Sequence, residues 1–147
     1  MSHLVVRSPV FRNNELIPSK YTCDGRNISP PLIVEGIPEK TKSLAIIMED
    51  PDAPAGLFIH WVAWNIIPLT EIGENAAGGS VGLNTAKKSG YLGPCPPSGT
   101  HRYFFKLYAL DNTLNLSSYT EKEDLINAMD GHILAQGELM GLYRRNR

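Results

Sequence analysis

The sequence predicts a mainly β fold, an antiparallel β-sandwich, and three observations predict it. The 13 glycines and 11 prolines punctuate short apolar runs instead of clustering in one linker. Those runs have strand length and are rich in Val, Ile, Phe, Tyr and Trp. Only one stretch carries a helical period. With 147 residues and 42% hydrophobic content, the chain suffices for one compact core, so residues 1–147 are expected to form a single domain.

The elements follow in order. VVRSPVF near the start and PLIVEG read as strands, each bounded by proline or glycine. SLAIIMED is a continuous apolar run, the signature of a strand buried on both faces. FIHWVAWNI follows, and its alternation puts His60, Val62 and Trp64 on one face and Trp61, Ala63 and Asn65 on the other. VGLNT, YFFKLYAL and a final GELMGLYRR complete the set, ahead of a basic tail expected to be solvated. The one helix lies in YTEKEDLINAMDGHILAQ, with Thr120 as N-cap and Glu123 at the capping-box position. Leu125, Ile126 and Met129 form its apolar stripe, Glu121, Lys122 and Asp124 face water, and Gly131 or Gly137 interrupts or ends it.

Charge removes several function classes. Fourteen basic residues against 15 acidic ones give a formal net charge of -1, which offers no field for nucleic acid or an anionic membrane surface. The start MSHLVVRSPVF lacks the pattern of a secretory signal, and no apolar stretch is long enough to span a bilayer, so a cytoplasmic protein is expected. Cys23 and Cys95 form no C-x-x-C pair. In a reducing compartment both are expected as thiols, although a disulfide becomes available if their loops meet.

Chemistry concentrates in two segments. In DPDAPAGLFIHW, Pro51 favours an extended Asp50, and extended residues two apart share a face, so Asp50 and Asp52 are expected to project together. The segment is no calcium loop: Pro54 fills the fifth position from Asp50, and His60 and Trp61 fall where the closing glutamate belongs. In GPCPPSGTHRY, three prolines stiffen the approach to a strand on which His101 and Tyr103 share one face, with Arg102 and Phe104 on the other. Two strands thus offer one histidine each. Singly, each histidine reads first as a structural residue; together they suggest a pocket. His3, in a terminus expected to fray, and His132, at the helix end, stay structural. GGSVG lacks the lysine of a phosphate-binding P-loop.

YTCDGRNISPPL at 21–32, DPDAP at 50–54, HWVAWNI at 60–66, GPCPPSGTHRYFFKLYALD at 93–111 and GHILAQGELMGLYRR near the end together carry a resemblance. The chain resembles the phosphatidylethanolamine-binding protein family, in its small bacterial and archaeal branch of Raf kinase inhibitor-like proteins. The resemblance implies a sandwich with a few peripheral short helices and a small surface cavity for phosphate-like anions. It implies Asp50 and Asp52 on one side of that cavity, His60 on another, Gly93 and Pro94 as a rigid lip, and His101 and Tyr103 completing it. A stiff lip loses little entropy on binding. Nearby carboxylates are expected to raise both histidine pKa values.

The function expected is non-enzymatic binding of a small anion or phosphorylated head-group, without cofactor, modulating a protein partner such as a kinase. Serine-protease inhibition through the loop AKKSGYLG at 86–93 is the alternative. A metal-dependent hydrolase built on Asp50, Asp52, His60 and His101 ranks below it. A hydrolase using Ser98 or Cys95 with His101 would need the nucleophile within reach of its base and a third group to orient that base, and Ser98 sits in a Pro-Ser-Gly turn with no strand-to-helix elbow. A homodimer is expected.

Overall fold

The computed structural model describes residues 2–145. Among the described residues, ten strands form two sheets: β1 (Ser2–His3), β2 (Val5–Arg7), β3 (Glu15–Leu16), β4 (Leu32–Glu35), β5 (Ser43–Asp50), β6 (Phe58–Ile66), β7 (Glu71–Ile72), β8 (Ser80–Val81), β9 (His101–Leu110) and β10 (Ile133–Tyr143). The larger sheet runs β1-β10-β9-β5-β6-β8, with β3 also paired to β10, and the smaller runs β2-β4-β7. Its centre, β10-β9-β5-β6, is antiparallel, whereas β1 and β3 lie parallel to β10. The pairing is therefore not antiparallel throughout.

Burial explains the layering. Every residue of β5 is buried, as its unbroken apolar pattern requires of the sheet's central strand. One face of the large sheet, through Leu44, Ile46, Met48, Phe105 and Leu107, packs on Val6, Leu32, Val34 and Ile72 of the small sheet, which makes the sandwich. The opposite face, through Ala45, Ile47, Val62 and Trp64, is covered by α1 (Lys122–Met129).

Several local expectations shift. The helix cap is Glu121, which forms a reciprocal capping box with Asp124, while Thr120 is buried one position earlier. Leu125 and Met129 are buried, but Ile126 is exposed, because the helix is short and only one narrow stripe meets the sheet. Lys122 does not simply face water: its ammonium lies 2.8 Å from buried Glu49. Burial pushes the Glu49 carboxyl up, yet hydrogen bonds from Lys122 and Lys106 outweigh it and hold it below its ordinary value.

Gly131 ends the helix at φ 81°, whereas Gly137 sits within β10, where a Cβ would lie 2.1 Å from the Leu4 carbonyl oxygen. His3 is tied into β1 opposite Gln136 rather than frayed. Of VGLNT only Val81 enters a strand, the two-residue β8, and Asn84 beyond it is buried and caps its own loop. Of the basic tail, Arg145 pairs with Asp24 at 2.8 Å, and residues 146–147 lie outside the described residues.

Candidate functional site

A cavity of about 350 Å³ opens at the end of the large sheet where β5, β6 and β9 converge. Asp50 closes β5 and shares the face of Met48, while His101 begins β9 and shares the face of Tyr103 and Phe105. Both therefore look towards the sandwich side. His60 reaches the same place by a different route. Met48 pairs with Trp61 but Glu49 with Ile59, so β6 carries an extra residue there, a β-bulge. The bulge breaks the strict alternation that put His60 with Val62 and Trp64. Those two lie under α1, whereas His60 lines the cavity with Phe58 and Tyr103.

Each imidazole is fixed by its Nδ1. His101 Nδ1 donates to Asp50 Oδ2 at 2.7 Å, with both side chains almost fully buried. Asp50 Oδ1 accepts the backbone N–H of Asp52, also at 2.7 Å. His60 Nδ1 donates to the Leu92 carbonyl at 2.7 Å. Burial pushes the His60 imidazole below its ordinary value, and neither the Leu92 hydrogen bond nor Asp50 reverses that. The expected rise of this histidine is thus corrected: it sits deep, and the nearest carboxyl is committed to His101. Tyr103, raised by burial and by the nearby Asp50 and Asp52, stays a phenol.

Asp52 does not project beside Asp50. The chain turns at Pro51, and Asp52 accepts from the Arg102 backbone N–H and Nε at 2.9 Å each and from Nη2 at 2.8 Å. That clamp, opposed by partial burial, holds the Asp52 carboxyl down at about 2. Asp52 is absent from the cavity wall, as is Pro94.

The lip is built from Tyr91 to Pro97 and is joined to residues 21–27 at four points. The two cysteines form a disulfide, so the expected pair of thiols is corrected: the fold brings their loops together, with Cα atoms 5.4 Å apart. The Cys23 N–H donates to the Pro94 carbonyl at 3.1 Å. The Gly93 N–H donates to Asn27 Oδ1 at 2.8 Å, and the Tyr91 hydroxyl to the Tyr21 carbonyl at 2.6 Å. Gly93 must be glycine here, since a Cβ would lie 2.4 Å from Asn27 Oδ1 and 2.5 Å from the Tyr21 carbonyl oxygen.

Of the seven residues expected at the site, Asp50, His60, Gly93, His101 and Tyr103 line the cavity. Sequence reasoning passed over Phe58 and the disulfide as wall elements; that the chain's two cysteines both border turn-rich segments was the available signal. In the loop 86–93, Tyr91 and Leu92 are held inward, Lys87 pairs with Glu121 at 2.7 Å, and Lys88 is exposed. Among the described residues, no three His, Cys, Asp or Glu side chains are grouped to hold a metal ion. No helix there is long and apolar enough to cross a membrane.

Residues 7–144 match the family model described as phosphatidylethanolamine-binding protein. A UPF0098 protein of Methanothermobacter thermautotrophicus is 53% identical, with 95% of this chain aligned to 98% of that one. A UPF0098 protein of Archaeoglobus fulgidus is also 53% identical over 98% of this chain, which spans only 52% of that longer relative. The crystal structure of a putative phosphatidylethanolamine-binding protein homolog, CT736 from Chlamydia trachomatis, superposes with a TM-score of 0.94 at 44% identity, covering 99% of this chain and 100% of that one.

Proposed function

Because the chain belongs to the phosphatidylethanolamine-binding protein family, we propose that its cavity binds a small phosphate-like anion or phosphorylated head-group without transforming it, and so modulates a protein partner such as a kinase. One observation carries the proposal: two histidines from different strands, each locked by its Nδ1, line a cavity of about 350 Å³ behind a braced lip. A braced wall suits binding, since little order is left to impose when the ligand enters. Among the described residues, no hydroxyl or thiol is hydrogen-bonded to either imidazole in the manner of an activated nucleophile, and Cys95 is committed to a disulfide.

Phenyl phosphate tests both halves of the proposal. Calorimetry should show binding to the wild type that weakens by about 1–3 kcal/mol in His101→Ala, the range for a lost hydrogen bond to a charged group. Release of phenol on prolonged incubation would overturn the non-enzymatic reading.

Protease inhibition through residues 86–93 narrows to Lys88, since Tyr91 is turned inward and Lys87 is paired. Failure of the protein to slow trypsin would remove it. The unit concerned is taken as one domain acting as a homodimer, which a monomer mass by light scattering would refute. It is placed in the cytoplasm, where the Cys23–Cys95 bond must persist against a reducing thiol pool. Thiol alkylation in fresh lysate decides that point.

A further inference from the structure

The cavity wall has an unusual charge pattern for a phosphate site. Among the described residues it contains no lysine or arginine; the Arg102 guanidinium, next in sequence to His101, lies on the other face of β9 and is clamped to Asp52. The titratable groups facing the cavity are Asp50 from β5, His60 from β6, and His101 and Tyr103 from β9; the disulfide on the lip does not titrate. With both Asp50 oxygens accepting hydrogen bonds, the Asp50–His101 pair is together neutral or negative. His60 gives its Nδ1–H to Leu92, so in its neutral form the remaining ring nitrogen is an acceptor. Burial favours that neutral form. The wall is thus short of fixed positive charge and supplied with acceptors, which is poor complementarity for a dianion.

We infer that the cavity takes its ligand with a proton still attached: a singly ionised phosphate monoester whose P–OH donates a hydrogen bond to the cavity's acceptors. The inference rests on the proposed phosphate site and specifies its ligand class. A lipid head-group bearing a phosphodiester has no such hydrogen and falls outside the class. Sulfate, which stays dianionic, falls outside it too.

Three probes and two pH values test it by calorimetry on the intact protein: methyl phosphate, dimethyl phosphate and inorganic sulfate. With a second phosphate pKa of about 6, the singly ionised fraction of methyl phosphate rises roughly twentyfold between pH 7.5 and about pH 5.5, and its affinity should rise nearly as much. Sulfate and dimethyl phosphate should bind weakly at both values, without that rise. Parallel tightening of sulfate would place the proton on the histidines and overturn the inference, leaving the phosphate site standing. Dimethyl phosphate binding as tightly as methyl phosphate at the lower pH would overturn it in the same way. Absence of binding by all three would overturn the inference and the phosphate site together.

Discussion

Asp50 and His101 lie 51 residues apart in sequence and meet at 2.7 Å, the carboxyl closing β5 and the imidazole opening β9, the strand paired beside it. Asp50 spends its second oxygen on the turn that follows it. Replacing Asp50 by Asn leaves one acceptor oxygen for two donors in a buried place. Asp50→Asn should lower unfolding free energy by about 1–3 kcal/mol in urea titrations. An unchanged midpoint would show that the pair contributes no stability.

Asp52 provides the contrast. Its pair with Arg102 is partly solvated, with 29% and 49% of the side chains exposed, so Asp52→Asn should cost less than about 1 kcal/mol and leave phenyl phosphate binding intact. The folded carboxyl is held at about 2, below its unfolded value, so its contribution is complete above about pH 4. It is lost as pH falls towards 2, where the mutant and wild-type stability curves should converge.

His60 acts in the same pH direction through another cause. Its folded pKa lies below the unfolded value of about 6.5, because burial penalises the imidazolium. The unfolded chain therefore binds more protons in that range, and stability present above about pH 6.5 falls on acidification. His60→Asn should flatten the slope between about pH 6.5 and 5 in chemical denaturation. Equal slopes would assign the acid sensitivity elsewhere.

The helix offers a paired test. Leu125 is fully buried against the sheet and Ile126, its neighbour, is 37% exposed. Leu125→Asp should lose several kcal/mol, about 3 or more, whereas Ile126→Asp should stay within about 0.5 kcal/mol. Similar losses in both would mean that α1 buries a wider stripe.

Much of this architecture was legible in the residues. SLAIIMED announced its double burial, and HRYFF placed His101 with Tyr103 and Arg102 away from them, as the strand requires. The two errors in placing His60 and Asp52 share one physical origin, the departure of backbone from regular period. A bulge, which no alternation reveals, carried His60 away from Val62. A turn at Pro51 separated two aspartates that an extended chain would have aligned. Cys23 and Cys95 stand 72 residues apart, and only tertiary contact could settle their pairing.

That pairing is itself testable. Closing a loop of this length restricts the unfolded chain, so reduction, or the double change Cys23→Ser and Cys95→Ser, should lower stability by about 2–4 kcal/mol. Thermal unfolding with and without dithiothreitol reads the difference. Identical curves, with alkylation confirming free thiols in the reduced sample, would deny the bond a stabilising role.

The four ties between residues 21–27 and the lip also bear on how fast a ligand arrives. A wall joined this firmly has no gate to swing aside, so encounter alone should govern entry. Stopped-flow association should then be a single exponential whose rate climbs linearly with ligand concentration and never reaches a plateau. Differences in affinity among ligands would lie in how long each one stays.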